Sequence, residues 1–242
     1  MIEFHFAQTP NAAKILIALK ELDLAYEIKP YNLYQGDHLS DEFRAINPNL
    51  KIPAIVDHAP ADGGTPIPVF ESGAILQYLA EKQGKLIPQD PRRRLETLQW
   101  LAWQISGLGP FMGQAAHFLR YAPPGPHEYS TNRYVNESVR LLHVMDFRLQ
   151  REEFLGGEDY SIADIACFPV VLLFDQYFEF DFQSLDGIKR WSSTLLARPA
   201  VQAALNAPEM DPGRYYDVSP KLTEEEWSNV FGDRMLQASK SR

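Results

Sequence analysis

Asn49-Leu50-Lys51-Ile52-Pro53-Ala54-Ile55-Val56, with Pro68-Val69-Phe70-Glu71-Ser72 downstream of it, is the stretch that decides the fold. Two short apolar runs, Pro53-Ala54-Ile55-Val56 and Pro68-Val69-Phe70, read as strands, and Asp62-Gly63-Gly64 between them reads as a hairpin turn. Ser72 suits the cap of a helix running to about Gln83, and Gly84 suits its stop. Upstream, Ile2–Phe6 and Tyr26–Tyr31 carry apolar residues at alternate positions over part of each. Between them Ile15, Leu16, Leu19 and Leu22 recur at helical spacing, with Thr9 placed as an N-cap and Pro10 as the first helical residue. Asp41–Ile46 adds a short helix. The order is βαβαββα, a mixed four-stranded sheet with helices laid on it.

Past Gly84-Lys85-Leu86-Ile87-Pro88-Gln89-Asp90-Pro91, a linker by composition, the strand signal disappears. Arg92 to Arg120 reads as helix bent near Gly107-Leu108-Gly109-Pro110, Pro123-Pro124-Gly125-Pro126 breaks the chain, and His127 to Arg151 reads as a second long helix. Ser161-Ile162-Ala163-Asp164 opens a very apolar helix with a reciprocal cap. In that cap the Ser161 hydroxyl takes the N–H three residues on, and the Asp164 carboxylate reaches back to the Ser161 N–H. Asp164 is therefore structural. The expected division is residues 1–85, 92–206 and a polar extension, 207–242, with a short helix around Glu224–Phe231.

The chain has 242 residues, 45% of them apolar, which is enough for two cores, and a formal net charge of −9. That acidity argues against nucleic acid or an anionic membrane as partner, since phosphates need Lys and Arg to replace their counterions. One cysteine, Cys167, excludes a disulfide framework and a CxxC redox pair, and its apolar neighbours make it core packing. The six histidines show no metal-ligand spacing, so no metal is expected. Met1-Ile2-Glu3-Phe4 lacks the basic and apolar regions of a signal peptide, and the apolar run Ile162–Phe174 is interrupted by Asp164 and Pro169. A soluble cytoplasmic protein is expected.

Three turns carry chemistry. Ile52-Pro53 is a candidate cis bond that would present the Ile52 backbone to an extended peptide; an ordinary trans bond at a strand start fits the local sequence as well. Glu71-Ser72 at a helix N-terminus can hold a carboxylate on free N–H groups and the Ser72 hydroxyl, with Glu71 beside an ammonium; the plainer reading is a cap alone. Thr9-Pro10-Asn11 offers donors that would favour a thiolate over a thiol, or is simply an N-cap. With one cysteine in the chain, such a thiol has to come from outside.

Together, Thr9-Pro10-Asn11, Asn47-Pro48-Asn49, Lys51 to Asp57 and Phe70-Glu71-Ser72-Gly73-Ala74-Ile75 make this chain resemble the glutathione transferases. So do Trp100, Trp103, Gly107-Leu108-Gly109-Pro110, Arg133-Tyr134 and Tyr160 to Ala166 in the second half, and the resemblance is to the bacterial Nu class in particular. It implies a thioredoxin-like N-terminal domain, an all-helical C-terminal domain, a cis Ile52-Pro53 bond and a homodimer. Glutathione is then the co-substrate, held by Asn11, His38, Ile52, Pro53, Glu71, Ser72 and Arg133, with Thr9 and Asn11 at its sulfur as the catalytic pair. His38, where the family pattern carries Gln, is assigned to the glycyl carboxylate. No Tyr, Ser or Cys occupies the sulfur-activating position of other transferase classes.

The implied activity is reduction of a small disulfide by bound glutathione thiolate. The alternative is a transferase or lyase acting on thioethers or aromatic electrophiles, with Phe111, Met112, His117, Phe118, Phe174 and Tyr177 as a second site over which the extension, with Tyr215, Tyr216 and Trp227, would close. Against that site stands the ordinary reading of a Phe/Met stripe on helices as core. A third reading is a non-catalytic module of the same fold that binds a protein partner.

Overall fold

The computed structural model describes residues 1–177, 184–210 and 221–240, the side chains of 175–177 excepted. The N-terminal part is a four-stranded sheet in the order β2-β1-β3-β4, formed by β1 (Ile2–Phe6), β2 (Tyr26–Pro30), β3 (Ala54–Asp57) and β4 (Ile67–Phe70). β1 pairs parallel with β2 and antiparallel with β3; β3 and β4 form the antiparallel hairpin. The hairpin loop turns at Gly63, whose φ of +69° is a left-handed conformation open to glycine.

Helix α1 (Pro10–Glu21) starts as expected: the Thr9 hydroxyl accepts the Ala12 N–H at 3.2 Å and Pro10 fills the first helical position. Ala12 through Leu19 are all buried, Lys14 included. A helix buried on every side lies at the centre of a protein, and α1 packs against α3 (Ser72–Gln83), α7 (Ile162–Tyr177) and α9 (Pro199–Leu205). It joins the sheet to the helical half. Helix α2 (Asp41–Ile46) is capped by Ser40.

Ser72 does not cap α3. Glu71 takes the N-cap position, with φ +67° and no side-chain cap bond, and Ser72 is the first helical residue. The bend expected near Gly107–Pro110 is real: α4 (Pro91–Trp103) passes through a π-helical turn, Gln104–Leu108, into α5 (Gly109–Arg120). Helix α6 covers Glu128–Leu149, and α8 (Asp186–Leu196) completes this half with α9.

The cap of α7 forms with one change. Asp164 Oδ2 accepts the Ser161 N–H at 3.0 Å, but the Ser161 hydroxyl takes the N–H of Ala163, two residues on, at 3.3 Å. Among its described residues the extension holds two α-helices rather than one, α10 (Glu224–Val230) and α11 (Asp233–Lys240). A reciprocal capping box between Thr223 and Glu226 fixes the start of α10. No helix among the described residues is long and apolar enough to cross a membrane.

Candidate functional site

A cleft of about 710 Å³ opens between the sheet half and the helical half. Thr9, Asn11, His38 and Ile52 stand on one bank, and His117 and Phe174 on the other. The first turn of α1 therefore faces α5 and α7 across a space of ordinary ligand size.

On the first bank the donors are short and backbone-anchored. The Thr9 hydroxyl oxygen is occupied by the Ala12 N–H, which leaves its O–H proton free to donate. Asn11, two residues on in the same first turn, is exposed. The Ile52-Pro53 peptide is cis, and Ile52 and Pro53 lead directly into β3. Because Ala54 pairs with Phe70, Glu71 and Ser72 emerge from β4 beside that bend. Glu71 is exposed, its φ of +67° is rare for an L side chain, and its carboxylate accepts from Asn49 Nδ2 at 3.3 Å. A non-glycine residue held this way costs about 1–3 kcal/mol and clusters at functional sites. Neither Glu71 nor Ser72 is among the residues that line the main cleft.

His38 is 2% exposed. Burial, then the charge of Lys51, lowers its pKa to about 4, so the ring is neutral at pH 7. It hydrogen-bonds the Asn229 backbone, and its Nδ1 is buried without a partner. A neutral imidazole is a poor match for a carboxylate. Lys51, on the same bank, is the cation available there.

Arg133 and Phe111 are not brought to the cleft. The Arg133 guanidinium lies over the Phe111 ring at 5.4 Å and pairs with Glu137 at 3.6 Å, while Phe111 also packs on Tyr134. Of the apolar second-site residues, Met112, His117 and Phe174 line the cleft, and Phe118 stacks on Tyr134 at 5.5 Å. The Tyr177 side chain lies outside the described residues, as do Tyr215 and Tyr216.

Sequence reading places Tyr215, Tyr216 and Trp227 of the extension over the second site; Trp227 is not among the residues lining the cleft, and its Nε1 donates to the Tyr121 carbonyl at 3.1 Å. Val230, Phe231 and Met235 line the same cleft as Thr9 and Asn11. The Thr223-x-x-Glu226 capping box marks the start of the short helix expected around Glu224–Phe231; the second helix, α11, was not expected. Among the described residues no cluster of His, Cys, Asp and Glu is placed to hold a metal ion.

Residues 1–81 match the glutathione S-transferase N-terminal domain and residues 110–199 the glutathione S-transferase C-terminal domain. Escherichia coli disulfide-bond oxidoreductase YfcG is 48% identical over 205 residues, covering 85% of this chain and 94% of YfcG. Disulfide-bond oxidoreductase YghU of the same organism is 40% identical, covering 83% of this chain and 73% of YghU. A Pseudomonas putida glutathione transferase with one glutathione disulfide bound per subunit superposes with a TM-score of 0.81 at 44% identity, covering 86% of this chain and 91% of that one. A Burkholderia graminis glutathione transferase with two glutathione molecules per subunit gives 0.80 at 42%, covering 87% and 89%. Sheet topology, cleft and kinship agree, and the chain belongs to the glutathione S-transferase family.

Proposed function

We propose that this chain is a glutathione-dependent thiol–disulfide oxidoreductase in which the bound glutathione thiolate, and no protein cysteine, attacks the disulfide. One observation carries the reading: the chain's single cysteine, Cys167, is fully buried in α7 and does not line the cleft. Burial, and then the nearby Asp164 carboxylate, push its thiol well above the ordinary range, so it is not a nucleophile. The named activities of YfcG and YghU support the same reading, as does the glutathione disulfide carried by the Pseudomonas relative.

In this reading the Ile52 backbone, Pro53, Glu71 and Ser72 seat the peptide, and Lys51 with His38 meets its glycyl end. Thr9 and Asn11 donate to the sulfur; a thiolate so bonded at a helix N-terminus forms at lower pH than a free thiol. Arg133 joins only by releasing Glu137. The thiolate attacks one sulfur of the acceptor; a mixed disulfide forms, the old S–S bond breaks, and the departing thiolate takes up a proton. A second glutathione thiolate then displaces the remaining half. Two glutathiones are oxidised to one glutathione disulfide, and the acceptor disulfide is reduced to two thiols. The protein supplies position and anion stabilisation.

The division at 1–85 and 92–206, with 207–242 as an extension, is supported by the end of α3 at Gln83 and the start of α4 at Pro91. A homodimer is proposed on the family resemblance and on the exposed apolar residues Phe70, Leu95 and Ile105; sedimentation tests it. The cytoplasm, where glutathione is kept reduced, is the compartment this chemistry needs.

The deciding assay follows oxidation of glutathione by 2-hydroxyethyl disulfide. Asn11→Ala is expected to lower kcat/KM by roughly 10- to 100-fold, on the scale of losing one anion-stabilising donor. Cys167→Ala is expected to keep turnover. Loss of turnover in folded Cys167→Ala, or cleavage of glutathionyl thioethers with no disulfide reduction, overturns the reading.

A further inference from the structure

The π-helical turn Gln104–Leu108 meets the starts of both helices that the proposed glutathione site uses. Gln104 Oε1 accepts from Lys14 Nζ at 3.0 Å, and Lys14 lies on α1 three residues after Asn11. Ile105 lies on Gly73 at the start of α3, where a Cβ would stand 2.0 Å from Ile105 Cδ1. Only glycine allows that approach without moving Ile105. One element of the helical half thus braces the helix of Thr9 and Asn11 and the helix of Glu71 and Ser72.

Three ordinary rules of packing are broken at this junction. A buried ammonium normally collects several acceptors, yet Lys14, at 2% exposure, has Gln104 as its one hydrogen-bond partner among the described residues. A buried amide normally satisfies both of its ends, yet Gln104 is 1% exposed and its Nε2 has no partner among the described residues. That nitrogen abuts Gly109, a residue lining the cleft, where a Cβ would stand 2.8 Å from it. The backbone, finally, leaves the α-helix for a π-turn, a feature frequent at functional sites. Proteins keep such breaches chiefly where function needs them.

What is kept here is a positive charge. A helical side chain leans back over the preceding turn, which for Lys14 is the turn of Thr9 and Asn11. Its field extends to Glu71 at the start of α3 and to the Cys167 thiol on α7, both of which favour its charged form. Buried charges are screened by salt far less than exposed ones.

We propose that Lys14 supplies a fixed positive charge beneath the glutathione bank that favours the ionised sulfur, with Gln104 as the positioning residue that holds it there. This rests on the reading of Thr9 and Asn11 as the sulfur site. Bound glutathione gains one negative charge when its thiol ionises, and a cation nearby in the protein lowers the cost of that step. The dipole of α1 acts in the same direction. The orphaned Gln104 nitrogen is then the consequence of turning the amide oxygen to the ammonium.

Titrating the thiolate absorbance of glutathione bound to the full chain, with S-methylglutathione as the blank, tests this without turnover. Near neutral pH, Lys14→Met is expected to lower the ratio of bound thiolate to bound thiol roughly three- to tenfold. Gln104→Glu is the second variant. Its carboxylate matches the amide in shape and neutralises Lys14 in place, so the ratio is expected to fall by a similar factor with the Lys14 contact retained. A Lys14 that served only to hold the π-turn would leave the ratio unchanged in Gln104→Glu. An unchanged ratio in either folded variant overturns the proposal and leaves disulfide reduction standing. A ratio that depends on Lys14 in a protein that reduces no disulfide removes only the oxidoreductase reading. No binding of glutathione at millimolar concentration ends both.

Discussion

Two buried charges sit in this molecule within electrostatic reach of the same thiol, and they are bonded to very different extents. Asp164, at the start of α7, is fully buried and receives four donors. Leu155 N–H and Trp191 Nε1–H reach its Oδ1 at 2.9 and 2.8 Å, and the Ser161 N–H and hydroxyl reach its Oδ2. Lys14, on α1, is 2% exposed and has one bonded partner, Gln104 Oε1 at 3.0 Å, on the π-helical turn. Burial, which dominates, lowers the Lys14 pKa to about 8. Cys167 feels both charges, the carboxylate raising its pKa and the ammonium lowering it. Burial shifts both groups toward their neutral forms, raising the Asp164 pKa against the pull of its donors and lowering that of Lys14; what separates them is that Asp164 is bonded at both oxygens, a staple, while Lys14 has a single acceptor.

The sharpest way to break this contrast is Asp164→Ala. It strands two backbone N–H groups and the Trp191 indole in the core, and losing one member of such a network costs about 3–5 kcal/mol. Denaturant unfolding should show that loss, with Asp164→Asn milder because its remaining oxygen still accepts. A loss under about 1 kcal/mol for the alanine variant would mean that the network only decorates the corner. Next in size is Gly109→Ala. A Cβ there would stand 2.8 Å from Gln104 Nε2 and 3.1 Å from the Gln104 carbonyl, so the amide must leave Lys14 or the π-turn must relax. Overpacking of this kind costs about 1–3 kcal/mol, and it should weaken the protein most where Lys14 is charged.

How legible these features are in the sequence follows from how local their causes are. The cap half of the Asp164 staple is visible as Ser161-x-x-Asp164, because both partners lie within one turn. Its other half is not, since Leu155 and Trp191 are 9 and 27 residues away. Strands β1 to β4, the Thr9 cap and the bend after α4 are legible from period, cap chemistry and glycine placement. Lys14 reads as the polar face of an amphipathic helix; only the packing of α3, α7 and α9 around α1 buries it. Glu71 was missed as the N-cap because a positive φ is usually marked by Gly or Asn. At the cleft, Thr9, Asn11, Ile52 and His117 are brought together, while Arg133 and Phe111 are held by each other on α6 and α5. The helix around Glu224–Phe231 is legible from its cap, but its anchors, Tyr34 and Tyr121, are not, because they are distant in the chain.

Cys167→Ala sharpens the comparison from between its two poles. The side chain is small and sealed, so its removal leaves a minor cavity and costs roughly 1 kcal/mol in thermal or denaturant unfolding. A much larger loss would show that the thiol is a polar partner of Asp164 or Lys14 rather than filler.

The smallest shift at neutral pH, and the most telling, is expected from Lys14→Met. Exchanging a sparsely bonded buried cation for an apolar chain of similar length is close to neutral, within about 1 kcal/mol, although Gln104 then loses its donor. The pH dependence is where the two chains part. The folded pKa of Lys14, about 8, lies below its ordinary 10.5, so between these values the unfolded chain binds the extra proton. Stability from this group therefore rises as pH climbs from about 8 toward 10, because folding no longer has to bury a charge. Thermal midpoints of wild type minus Lys14→Met should climb across that window, the methionine chain lacking the rise. A flat difference would mean that Lys14 keeps its proton throughout, with Gln104 as sufficient an acceptor as the buried ammonium needs.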